Sequence, residues 1–161
     1  MVEGEDVTIT ANLPASVARS GIHREPLTPD LCRLLRPLME ANHAAAGVDA
    51  PLDPDLWLIQ GMQPRVWVVW HEGRPVGYCA HIISRHPLTQ EMHATCLAIY
   101  IDPAHRPRAF QLIRRAEADL AGHVSLIAYN LPHMTEAGVF FERMGYDCRE
   151  LVMAKRIGDK P

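Results

Sequence analysis

HATCLAIYIDPAHRPRAFQLIRRAE, residues His93 to Glu117, reads as a buried strand that runs straight into an amphipathic helix, and the rest of the chain is arranged around this unit. Ala94 to Ile101 is apolar apart from Thr95, and its length and β-branched content suit a strand covered on both faces. Asp102-Pro103 ends it. Beyond that point Phe110, Leu112, Ile113, Ala116 and Leu120 recur near helical spacing while Arg114, Arg115 and Glu117 take the other side, which predicts a helix up to Gly122. Between strand and helix lies the basic turn His105-Arg106-Pro107-Arg108. Free backbone N–H groups at a helix N-terminus attract anions, and two arginines strengthen the effect, so phosphate is the expected guest.

Upstream, Val66 to Trp70 and Val76 to Ser84 are strands joined by the polar turn His71-Glu72-Gly73-Arg74-Pro75, a β-hairpin. A second break at His86 to Gln90 returns the chain into the strand at His93, giving three sequential antiparallel strands. Before the hairpin, Thr28 caps a helix that opens with Pro29 and places Leu31, Leu34, Leu35, Leu38 and Met39 on one face, with Pro37 expected to bend it. Leu56 to Ile59 forms a short second helix closed by Gly61, and Ile22 to Glu25 is an extended piece. Downstream, Val124 to Ala128 is a strand parallel to the one before the central helix, reached by a right-handed crossover. Thr135 caps a helix carrying Val139, Phe140 and Met144 and stopped by Gly145, and Tyr146 to Ile157 is the last strand. The expected fold is α/β (α+β), a mixed, mostly antiparallel sheet flanked by about four helices. Residues 1–21 form an N-terminal arm or extra strand and 22–161 a single domain.

Composition narrows the function. Of 161 residues, 48% are hydrophobic and 22% charged, as in an ordinary globular domain, and the net charge of −3 argues against a general nucleic-acid surface. No apolar run approaches the roughly 20 residues of a membrane helix and the start MVEGED is acidic, so a cytoplasmic protein without membrane contact is expected. The four cysteines and nine histidines fall in no metal-binding spacing, so buried free thiols and no metal are expected.

The hairpin WVVWHEGRPVGY (Trp67 to Tyr78), the unit LAIYIDPAHR (Leu97 to Arg106) with its RRAE helix (Arg114 to Glu117), and the ending FFERMGYDCRELVMAKRI (Phe140 to Ile157) occur in an order that resembles the GNAT N-acetyltransferase superfamily, more closely its phage-type branch. The resemblance runs from about Leu31 to the C-terminus. It implies transfer of an acetyl or other acyl group from acetyl-CoA to an amine of a small molecule or protein, a splay between strands 4 and 5, and an acyl-CoA arm lying in that splay. Carried onto this sequence, Leu97, Ala98, Ile99, Tyr100 and Ile101 would hold the pantetheine. Arg106, Pro107, Arg108, Ala109 and Phe110 would hold the pyrophosphate. A backbone N–H on the strand would polarise the thioester carbonyl. A homodimer is compatible with the arm, since this superfamily often forms dimers.

Two departures bear on activity. The superfamily's phosphate turn has glycines where this chain has Ala109 and Gln111, and Pro107 removes an N–H donor. The tyrosine that commonly protonates the leaving thiolate is replaced by Phe141, leaving Tyr129, His133 or water for that role. Glu91 and His93, at the start of the fourth strand, are the candidate bases, and Asn42, His43 and Trp57 are candidate acceptor-pocket residues. The competing expectation is a binding or structural protein that keeps the fold without the chemistry.

Overall fold

A computed structural model of the chain describes residues 19–47, 51–53, 55–59, 63–130 and 136–148. They fall into two compact units that divide between Tyr129 and Asn130.

The first unit is built on a five-stranded sheet whose spatial order is its chain order: β1 Gly21–Glu25, β2 Arg65–His71, β3 Arg74–Arg85, β4 Met92–Ile101 and β5 Leu126–Tyr129. The first four are antiparallel neighbours and β5 joins β4 in parallel, so the sheet is mixed and mostly antiparallel as expected. The β2–β3 turn is tight because Glu72 and Gly73 both adopt positive φ, 49° and 78°, the left-handed geometry that matches the twist of a hairpin. Arg19 and Ser20 lie against this turn: Gly73 N donates to Arg19 O and Glu72 N to Ser20 Oγ. Glu25 binds Arg19 at 2.6 Å and accepts from Trp70 Nε1, fixing β1 at the sheet edge.

Each face of the sheet has its own core. α1, Pro29–Ala45, covers one face with Leu31, Leu35 and Met39 against Val66, Val68, Tyr78 and Ala80. Its start is the one the sequence signals, with Thr28 Oγ1 accepting from Leu31 N at 3.1 Å, and the helix runs on through Pro37 to Ala45. α2, Leu56–Ile59, follows. On the other face α3, Ala109–Leu120, presents Leu112, Ala116 and Leu120 to Trp67, Val69, Cys79, Ala94 and Cys96. Asp119 ties this helix down, accepting from Trp67 Nε1 at 2.7 Å and from Arg115 Nε at 3.1 Å. Burial alone would raise the Asp119 carboxyl, but those two hydrogen bonds and the charges of Arg115 and Arg24 outweigh it and leave the group below its ordinary range.

β5 starts later than the sequence suggests. Val124 makes an isolated bridge to Ala121, while the paired strand is Leu126–Tyr129. The second unit contains α4, Glu136–Arg143, which ends as expected at Gly145 with φ 92°. Phe141 packs edge-on against Phe140 and Tyr146 there. Tyr146 to Cys148 form no strand, and the rest of the expected last strand, the arm before Arg19, Gly61, His133 and Thr135 lie outside the described residues. No described helix is long and apolar enough to cross a membrane.

Candidate functional site

The sheet opens within β4. His93 to Cys96 pair with Leu126 to Tyr129 on one side and with β3 on the other, but β5 ends at Tyr129 and Leu97 to Ile101 keep a ladder on the β3 side only. The register explains the divergence. Ala80 stands opposite Ala98 and His81 opposite Cys96, so Leu97 is an extra residue, a β-bulge at the point where β5 pairing stops. A bulge bends its strand and increases local twist, which swings Leu97–Ile101 away from the line of β5. It also resets the alternation of faces: Ala94 and Cys96 face α3 before it, Ile99 and Ile101 after it, while Ala98 and Tyr100 turn toward α1. The sheet thus presents a five-residue edge of backbone amides and carbonyls with no described strand beside it. All five expected pantetheine-binding residues are on that edge.

The edge is set close to β3 by Gly77. A methyl group added there would stand 2.8 Å from Ile101 Cγ1 and 3.0 Å from the Tyr100 carbonyl oxygen, so only glycine lets the two strands approach this closely.

β4 delivers the chain into the basic turn, which is built differently from the expectation. Pro103–Arg108 is a 3₁₀ helix, and α3 begins only at Ala109. Its first two amides, and that of the residue that follows it, are already occupied. Ala104 N donates to the Asp102 carboxylate at 2.9 Å, His105 N to Asp102 O at 2.8 Å, and Ala109 N to Arg106 O. The attraction for an anion therefore rests on side chains rather than on a free helix end. Arg108 reaches back to donate to the Trp70 carbonyl at 3.1 Å and is fixed, whereas Arg106 is exposed and has no ion pair among the described residues. Phe110 is exposed and lies under the Arg114 guanidinium, 5.3 Å from its ring centroid. An open depression of about 560 Å³ borders the turn, lined by Pro107, Arg108, Gln111 and Arg115 with Gly21 and Ile22 of β1.

The proposed acid–base residues do not all meet. Glu91 and His93 come together, Oε2 to Nε2 3.6 Å apart, within a tight loop where His86 Nδ1 accepts from Leu88 N and Thr89 N and Thr89 Oγ1 donates to Glu91. His86 and His93 rings lie 5.0 Å apart. This group is four residues before the bulge, about 13 Å along the strand, too far for one bridging water. Tyr129 is at the crotch of the splay opposite Cys96, but its hydroxyl is buried and its ring packs edge-on against His81. Asn42 and Trp57 do converge, on Tyr78: Asn42 Nδ2 donates to Tyr78 Oη at 3.2 Å and the Trp57 ring stands edge-on at 6.4 Å. Burial pushes the Tyr78 phenol up to about 12, the Asn42 hydrogen bond notwithstanding.

The sequence reading missed one group. Cys79 and Cys96 are buried free thiols as expected, but His81 lies with them, fully buried, its imidazole pushed down to about 4 by desolvation. The available signal was Cys79-x-His81, two residues on one strand face; Cys96 joins them only through the register.

The acetyltransferase (GNAT) family model matches residues 29–146, which contain the whole of this geometry from α1 to the end of α4. Among solved structures, the fold is shared with a ribosomal-protein-alanine N-acetyltransferase from Brucella melitensis biovar Abortus 2308, at TM-score 0.64 and 20% identity over 86% of this chain and 100% of that one. A GCN5-related N-acetyltransferase from Ralstonia eutropha JMP134 gives 0.63 and 25% over 86% and 100%. The aminoglycoside acetyltransferase meta-AAC0020 from an uncultured soil metagenomic sample gives 0.64 and 15% over 86% and 97%. No curated protein matches the chain in sequence.

Proposed function

The chain belongs to the acetyltransferase (GNAT) family, and from that premise we propose that it moves an acetyl group from acetyl-CoA to an amine of a small molecule or protein. The observation that carries this reading is the one-sided ladder of Leu97–Ile101 beyond the Leu97 bulge. An amide-containing pantetheine arm can pair with such an edge as an added strand would, main chain to main chain, without requiring particular side chains.

The thioester of acetyl-CoA supplies the activated acyl group; the remaining work is the chain's. Leu97, Ala98, Ile99, Tyr100 and Ile101 orient the arm, and an N–H of this edge donates to the carbonyl oxygen as negative charge develops on it. Arg106 and Arg108 hold the pyrophosphate by charge, with Pro107, Ala109 and Phe110 of the same turn beside it; the turn departs from the family pattern in having no glycine, so charge stands in for close backbone approach. Glu91 and His93 serve the acceptor side and take its proton by relay, given their distance from the bulge. Tyr129 and His133 are the side-chain candidates for protonating the departing thiolate, a good leaving group that water can also protonate. We place the protein in the cytoplasm, where acetyl-CoA is available.

Calorimetric titration with acetyl-CoA, repeated with desulfo-CoA, tests the reading. Micromolar binding of both is expected, and Arg106→Ala is expected to weaken it about tenfold through loss of one charged contact. Absence of binding at high ligand concentration contradicts it. A second reading, a binding protein on the same fold, is favoured by the occupied amides of the basic turn and by Phe141. Tight acetyl-CoA binding without turnover on any amine of a broad panel distinguishes it.

A further inference from the structure

Cys79, His81 and Cys96 meet inside the first unit, all buried, and one donor atom from each lies within 4.8 Å of the other two. Topology makes the cluster. Cys79 and His81 are two apart on β3 and share its α3 face, and the bulge at Leu97 sets Cys96 opposite His81. Trp67 and Tyr129 wall it edge-on, their ring centroids 5.7 and 5.0 Å from that of His81.

Two observations point to a ligand here. His81 is fully buried, yet its only hydrogen-bonding neighbour among the described residues is the Cys79 thiol at Nδ1, while Nε2 has none, so the imidazole is poorly satisfied by the protein and Nδ1 is the nitrogen turned to the thiols. The donors also have the spacing of a coordination shell. Cys79 Sγ and His81 Nδ1 are 3.5 Å apart, close to the edge of a tetrahedron with metal–sulfur bonds of about 2.3 Å and metal–nitrogen bonds of about 2.0 Å.

We propose that Cys79, His81 and Cys96 bind one thiophilic divalent ion, zinc(II) being the species this donor set fits. Charge selects it. Two thiolates and a divalent ion sum to zero, which suits surroundings made of Ala94, Leu112, Ala116 and Leu120, whereas a monovalent ion would leave a net negative charge buried. Burial and the neighbouring Cys96 hold the Cys79 thiol well above its ordinary range, with the Tyr129 hydroxyl working against them, so it is the charge of the divalent ion that draws the proton off. His81 is already neutral and ready to ligate, while both thiols give up their protons, so about two protons leave per ion and affinity rises with pH. None of the three ligands belongs to the proposed acyl-transfer set, and the site stands without that reading.

The test uses the full chain, reduced and stripped of metal, titrated with zinc(II) against a chromophoric chelator and separately with cobalt(II). One ion per chain, a thiolate-to-cobalt charge-transfer band and release of about two protons are expected. Cys96→Ser should remove the band, while Cys32→Ser and Cys148→Ser should keep it. If Cys96→Ser fails to fold, wild-type protein gives the answer: zinc should slow iodoacetamide alkylation of Cys79 and Cys96 but leave exposed Cys148 unchanged. Absence of the band, its loss on Cys32→Ser or Cys148→Ser, or equal alkylation with and without zinc overturns the proposal.

Discussion

His93–Cys96 and Leu97–Ile101 are consecutive halves of one apolar strand, yet the first is paired on both sides and the second on one. Their side chains do not account for the difference. Small or branched side chains occur in both, Ala94, Thr95 and Cys96 in the first and Leu97, Ala98, Ile99 and Ile101 in the second, and both contribute to the core on the α3 face, the second half to the α1 face as well. What separates them is a single extra residue, Leu97, at the place where β5 ends. The closed half keeps its polar backbone satisfied and holds buried chemistry, the Cys79–His81–Cys96 cluster. The open half leaves backbone available for a guest. On the proposed reading the site is made by withholding a strand partner rather than by adding reactive side chains.

The strongest way to break the comparison is to delete Leu97. Cys96 and Ala98 already stand opposite consecutive residues of β3, so removing the bulge keeps Ile99 and Ile101 on the α3 face and Ala98 and Tyr100 on the α1 face, but it takes away the bend that parts this half from β5, and acetyl-CoA affinity should fall by about a hundredfold. Calorimetric titration measures it, and an unchanged affinity would mean that the bulge does not open the edge.

The closed half has its own signature in pH. The folded His81 imidazole titrates at about 4 rather than the ordinary 6.5, because burial disfavours its charged form beside Cys79, Cys96, Tyr129 and Trp67. Folded protein therefore binds fewer protons than unfolded protein between those values. Stability of the metal-free chain is fully present above about 6.5 and falls as pH drops toward 4, by about 3 kcal/mol. Asp119 adds its loss at lower pH still, below the ordinary carboxylate range. A denaturation series from pH 7 to pH 4 that stayed flat would contradict this account of His81.

Gly77→Ala sharpens the contrast from the other side. Its methyl group would press on Ile101 and the Tyr100 carbonyl, costing about 1–3 kcal/mol and displacing the open half while leaving His93–Cys96 in place. Chemical shifts of β4 amides would locate the change, and perturbation centred on His93–Cys96 would refute it. The smallest effect belongs to Arg106→Ala. An exposed side chain without an ion pair among the described residues should contribute less than about 0.5 kcal/mol to stability, so the denaturation midpoint should stay put even as acetyl-CoA affinity falls.

Much of the frame was legible because local chemistry marks it. Thr28-Pro29 starts α1, Glu72-Gly73 turns the hairpin, and the apolar run of Ala94 to Ile101 announces the central strand. The bulge was not legible, since a strand apolar on both faces has no alternation for an extra residue to interrupt. The 3₁₀ form of the basic turn was also hidden: proline content warned of missing donors, but only the structure places Asp102 across the Ala104 amide. Glu91 and His93 lie together at the entry of β4, yet their distance from the bulge depends on where β5 stops. The cysteine–histidine cluster depended on the same shift of register and could not be assembled from spacing alone.

Amide hydrogen exchange across β4, with and without acetyl-CoA, tests most directly whether the open half is the cofactor edge. In the free protein, His93–Cys96 should already be protected, while those amides of Leu97–Ile101 that β3 does not engage should exchange rapidly. Acetyl-CoA should slow the second group and leave the first unchanged. Saturating ligand that leaves Leu97–Ile101 unprotected would contradict the account.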